Sequence, residues 1–136
     1  MHAWLCTDPT GVDALAWTEL PTPTPGPGEV LVEIKAASLN FPDLLIVQNK
    51  YQMKPALPFV PGSEYAGVVA AVGTGVTHLQ VGQKVACLSG TGGFGTHTLA
   101  PAALCMPMRE GFQHVDAAAF IMTYATSWHA LVDRAA

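Results

Sequence analysis

Pro58-Phe59-Val60-Pro61-Gly62-Ser63-Glu64-Tyr65-Ala66-Gly67-Val68-Val69-Ala70-Ala71-Val72-Gly73 reads as a turn, a strand and a second turn. Prolines and glycines punctuate its two ends, and an apolar run fills the middle. One carboxylate, Glu64, stands at the head of that run. A carboxylate placed there either pairs with a buried base or holds backbone amides, and both roles are architectural as much as catalytic.

On the N-terminal side, Val30-Leu31-Val32-Glu33-Ile34-Lys35-Ala36 alternates with period two. Val30, Val32, Ile34 and Ala36 share one face, so the segment reads as a half-buried strand. Asn40-Phe41-Pro42-Asp43 then opens a short helix near 40–48, with Pro42 just inside its start and Asp43 in its first turn. Capping explains the Asn40 and Asp43 pair; presenting the Asn40 amide to a ligand is the alternative. Strands are expected over 2–7 and 15–19, and the Pro21 to Gly28 stretch reads as extended chain crossing an edge within the domain. On the C-terminal side, strands are expected over 84–88 and 96–100. Residues 114–136 are Ala-rich, lack Gly and Pro, and are predicted helical.

Length and composition narrow the function classes. A chain of 136 residues is one domain by size. Its net charge is −4, with six basic residues that form no run, which argues against nucleic-acid binding. No apolar stretch reaches ~18 residues, so no membrane span is expected. Cys6, Cys87 and Cys105 are odd in number and far apart, which fits free thiols and a cytoplasmic location. With half its residues hydrophobic and only 12% charged, the chain has either a well-filled core or apolar surface meant for a partner.

Gly90-Thr91-Gly92-Gly93-Phe94-Gly95 matches the G-x-G-x-x-G pattern of dinucleotide sites. That chemistry needs a helix N-terminus to meet the pyrophosphate. Here Thr96-His97-Thr98-Leu99-Ala100-Pro101 follows, which is strand-like, so a flexible glycine turn between strands is expected. Five histidines and three cysteines show neither the paired spacing of structural zinc nor a three-ligand catalytic set.

Taken together these segments resemble the N-terminal half of the medium-chain dehydrogenase/reductase superfamily. The resemblance runs through Pro25-Gly26-Pro27-Gly28-Glu29-Val30, Ala37-Ser38-Leu39-Asn40-Phe41-Pro42-Asp43, Pro61-Gly62-Ser63-Glu64, Val81-Gly82-Gln83-Lys84-Val85 and Thr123-Tyr124-Ala125-Thr126-Ser127-Trp128. Its nearest branch looks like the zinc-independent NADPH:quinone reductases, typified by zeta-crystallin. Zinc alcohol dehydrogenases carry Gly-His-Glu where this chain has Gly62-Ser63-Glu64, and their first zinc cysteine aligns with Asn40. Serine and asparagine are poor zinc ligands, so the resemblance implies no zinc.

The resemblance implies a mainly β fold, a GroES-like partly open β-barrel with a short helix near 40–48 and a C-terminal helical segment. Residues 1–122 would be the catalytic domain, and 123–136 the start of the helix leading to a Rossmann domain that lies beyond this chain. It implies NADPH, held mainly by that other domain, with Asn40, Tyr51 and Thr126 lining the nicotinamide and substrate pocket. Asn40 and Tyr51 would serve catalysis, Asp43 and Glu64 structure. The expected reaction is hydride transfer to a small-molecule quinone or enone by a homodimer. Two alternatives accompany it: a fragment or stand-alone module, inactive by itself, and an enoyl-thioester reductase of the same superfamily.

Overall fold

The computed structural model describes residues 1–135. Among the described residues, seven strands form two antiparallel sheets. β1 (His2–Cys6) and β2 (Leu15–Glu19) make a two-stranded ribbon. β3 (Glu29–Ala37), β4 (Glu64–Val72), β5 (Lys84–Leu88), β6 (His97–Pro101) and β7 (Cys105–Pro107) make a five-stranded sheet in the order β6-β3-β4-β5-β7. The fold is mainly β, as expected, and among the described residues the sheets do not close into a barrel.

Alternation sets the two faces of the larger sheet as far as Ile34, but the register shift beyond it turns Ala36 to the opposite face, so Ala36 does not share the face of Val30, Val32 and Ile34 that the pattern predicts. Val30 and Val32 from β3, Tyr65 and Val69 from β4, and Val85 and Cys87 from β5 point into one core and are buried. Ala66 and Ala86 point the other way, and their small side chains let α2 (His114–Ala118) lie close, with Ala117 and Ala118 against them. β3 and β4 change register between Ile34 and Ala36. Gly67 sits at that shift; a Cβ there would collide with the Glu33 carbonyl and lie 2.9 Å from Val32 Cγ1.

The glycine motif connects β5 to β6 as the turn its composition predicts, and that turn is tied by backbone hydrogen bonds to the segment before β4. The N–H groups of Gly92, Gly93 and Phe94 donate to the carbonyls of Val60, Gly62 and Pro61 at 2.7, 2.8 and 2.9 Å. A Cβ on Gly93 would stand 2.9 Å from the Gly62 carbonyl oxygen. The motif is glycine-rich because one backbone must dock flat on another. It thereby fixes the turn that leads into Ser63 and Glu64.

Helix α1 (Phe41–Val47) starts where the sequence places it, after Asn40. The segment predicted helical over 114–136 is helical over most of its described length, in several pieces. After α2 the chain turns at Ala119 and Phe120, then runs as helical turns through Ile121–Ala125, α3 (Thr126–Trp128) and His129–Arg134. Ala136, the last residue of that expected helix, lies outside the described residues. Strand β7 was not anticipated. Cys6, Cys87 and Cys105 are free and buried, as expected. No helix among the described residues is long and apolar enough to cross a membrane.

Candidate active site

The end of β3, the start of β4, the head of α1 and the head of the terminal helical run converge on two buried carboxylates. Asp43, in the first turn of α1, is 4% exposed and Glu64 is fully buried. Asp43 Oδ2 accepts the backbone N–H of Asn40 at 2.9 Å, which satisfies one of the free amides at the helix start. Its Oδ1 accepts the N–H of Ser63 at 3.0 Å. One side chain therefore ties the residue before the helix to the residue before β4.

Glu64 does the same on the other side. Its Oε1 accepts the N–H groups of Ile121 and Met122 at 2.6 and 3.2 Å. Its Oε2 accepts from Ser38 Oγ at 3.3 Å. Ser38 in turn accepts from Asn40 Nδ2 at 2.9 Å. A continuous path, Asn40 to Ser38 to Glu64 to the amides of Ile121 and Met122, joins three elements distant in sequence. Of the two roles the sequence left open for Glu64, the geometry selects the holding of amides. The ion pairs among the described residues are Lys35 with Glu33 and His129 with Asp133, so neither buried carboxylate has a cationic partner there.

Asn40 is thus gripped at both its backbone and its side chain, and remains half-buried. Its sequence neighbours Leu39 and Phe41 are 86% and 70% exposed. Beside α1 lies a groove of about 230 Å³, lined by apolar residues that include Leu15, Leu44 and Phe94. Among the described residues, Asn40 and Asp43 are its only polar lining residues. Ser63 Oγ is buried without a hydrogen-bond partner, immediately after the turn that the glycine motif fixes.

Of the residues singled out from the sequence, Asn40, Asp43 and Glu64 come together in this network. Tyr51 is half-buried in the loop after α1, and Thr126 is exposed in α3, one helical turn beyond Met122. Among the described residues no side-chain hydrogen bond links Tyr51 or Thr126 to Asn40. Ser38 is the member that sequence reasoning did not assign. Its only signal is a hydroxyl two residues before Asn40, at the end of a strand.

Residues 26–110 match the alcohol dehydrogenase GroES-like domain, which is most of the chain. The chain belongs to this family, within the medium-chain dehydrogenases/reductases. It is 40% identical over 111 residues to the synaptic vesicle membrane protein VAT-1 homolog of Rattus norvegicus, covering 82% of this chain and 28% of that protein. It is equally identical over 111 residues to a mycocerosic acid synthase-like polyketide synthase of Mycobacterium tuberculosis, where the match spans 5% of the larger chain. Among solved structures, the quinone oxidoreductase of Thermus thermophilus, studied also in complex with NADPH, superposes with a TM-score of 0.84 at 32% identity. That superposition covers all of this chain and 42% of the other. The GroES-like domain described here therefore spans less than half the length of each of these relatives.

Proposed function

We propose that this GroES-like chain is the catalytic domain of a zinc-independent, NADPH-dependent reductase that passes hydride to a quinone or an enone. The observation that carries the reading is Asn40, whose carboxamide donates to Ser38 and whose backbone N–H donates to Asp43, at the polar corner of an apolar groove. The residues suit a nicotinamide cofactor. A carboxamide both donates and accepts, and the groove beside it is otherwise apolar apart from Asp43. NADPH, when bound, supplies the hydride. Asn40, with Tyr51 and Thr126, would line its nicotinamide side, and a Rossmann domain would hold the rest.

The chain's own contribution is orientation and polar stabilisation. Asn40 would donate toward the oxygen on which negative charge develops, and its two tethers keep it aimed before the substrate arrives. Tyr51 would close the pocket or donate a hydrogen bond. The apolar groove would exclude water. A quinone that accepts hydride becomes a stabilised phenolate, so the reaction needs no Lewis acid. That agrees with serine at 63 and asparagine at 40, where zinc relatives carry ligands. Residues 1–122 would form the catalytic domain, and 123 onward the lead into the cofactor domain. The exposed Tyr124, Trp128 and Leu131 suit a run that expects cover. The two-domain protein would be a cytoplasmic homodimer.

Similarity to the polyketide synthase favours a second reading, reduction of an enoyl thioester. NADPH oxidation by the two-domain protein, with a benzoquinone and with crotonyl thioester as rival acceptors, tests both. Turnover with the quinone supports the first reading. Turnover with the thioester alone replaces it, and no turnover with any quinone or enone sinks it.

A further inference from the structure

Cys87 and Cys105 stand directly opposite each other on β5 and β7, with their sulfurs 3.3 Å apart. Directly opposed antiparallel residues have Cα atoms about 4.5 or 5.5 Å apart, and both spacings lie within the range a disulfide bridges. Bond formation needs the sulfurs to close by about 1.3 Å, a side-chain movement. We propose that Cys87 and Cys105 form a reversible redox-modification site, at which hydrogen peroxide oxidises the two thiols to a cross-strand disulfide that staples β7 to β5.

The two thiols are not equivalent. Cys87 donates its S–H to Cys105, which raises the Cys87 thiol and lowers that of Cys105 below the usual range. Cys105 is therefore the first nucleophile. It also lies nearer solvent. Among the described residues, β7 is a three-residue edge strand bonded only to β5, and its last residue, Pro107, offers no N–H to the ladder. Leu104 and Met106, on either side of Cys105, are 44% and 46% exposed. Cys105 belongs to the core cluster beneath this edge, so a local opening of β7 is the route by which peroxide would reach it. Cys6 differs: burial pushes its thiol up, and it lies on β1 in the other sheet.

The chemistry balances with the peroxide as sole oxidant. The Cys105 sulfur attacks one peroxide oxygen, an S–O bond forms, the O–O bond breaks, and the departing oxygen leaves as water with the thiol proton. The Cys87 sulfur then attacks Cys105, the S–S bond forms, the S–O bond breaks, and a second water leaves with the Cys87 proton. Two thiols lose two electrons and the peroxide gains them.

The test treats the folded protein with dilute hydrogen peroxide and then alkylates the remaining thiols under denaturing conditions. The expected result is loss of two of the three alkylatable thiols, a Cys87–Cys105 cross-link in the peptide map, and full recovery with dithiothreitol. Cys6→Ser leaves the cross-link intact. In Cys87→Ala, Cys105 stops as a sulfenic acid that dimedone traps; if that variant fails to fold, the wild-type map decides. Three unchanged thiols overturn the proposal, as does a cross-link through Cys6 or one formed only in urea.

Discussion

Replacing Glu64 by glutamine and by alanine probes the joint on which the candidate site hangs. Glu64 is fully buried, and its acceptors serve Ile121 N–H, Met122 N–H and Ser38 Oγ. Hydrogen bonds to a charged group contribute about 1.5–3 kcal/mol and neutral ones about 0.5–1.5 kcal/mol. Glutamine keeps Oε1 for the two amides but lowers each bond by about 1 kcal/mol, so Glu64→Gln costs about 2 kcal/mol. Alanine strands three donors, at about 1 kcal/mol or more each, and leaves a void, so Glu64→Ala costs about 4–5 kcal/mol. For a domain of this size, between the two classes with measured slopes, 1 kcal/mol moves Tm by about 4 °C. Circular-dichroism melts should then show falls of about 8 °C for glutamine and about 16 °C or more for alanine. Amide exchange at Ile121 and Met122 should accelerate in both. A glutamine variant within about 0.5 kcal/mol of wild type, with those two amides unchanged, refutes the view that Glu64 anchors the terminal helical run.

Gly67→Ala drives a methyl group into the Glu33 carbonyl at the β3–β4 register shift. It should cost about 3 kcal/mol or prevent folding, read as the urea midpoint. His114 is held below its ordinary value of 6.5, first by burial and then by Lys84 and Lys35. The unfolded chain therefore takes up the proton more readily, and the contribution to stability is complete above pH 6.5 and lost as pH falls below it. Urea midpoints should drop on that acidification, and His114→Gln should flatten the slope. Asn40→Ala in the two-domain protein should lower kcat for a quinone by about 100-fold while melts change by about 1 kcal/mol or less. Unchanged kcat would move the donor role elsewhere.

What the sequence made legible follows from how far each signal reaches. β3 and β4 stand out because alternation and punctuating glycines are local. α1 does too, since Asn40, Pro42 and Asp43 mark its start within four positions. β7 escaped because three residues, one of them proline, carry no period. The break at Ala119 and Phe120 escaped because no glycine or proline marks it. The helical run restarts at Ile121 on an acceptor, Glu64, that lies 57 residues earlier in the chain. The glycine motif was read rightly as a turn. Its docking was not legible, since that depends on Val60, Pro61 and Gly62 offering their carbonyls. The candidate site was half visible: Asn40, Asp43 and Glu64 could be named, but their connection through Ser38 exists only in three dimensions.

The most direct test of the central claim is NADPH oxidation by the two-domain protein with 1,4-benzoquinone as acceptor, after exhaustive treatment with a zinc chelator. The account predicts turnover that depends on the quinone and survives chelation undiminished. Activity that disappears with the metal and returns on adding zinc would contradict it.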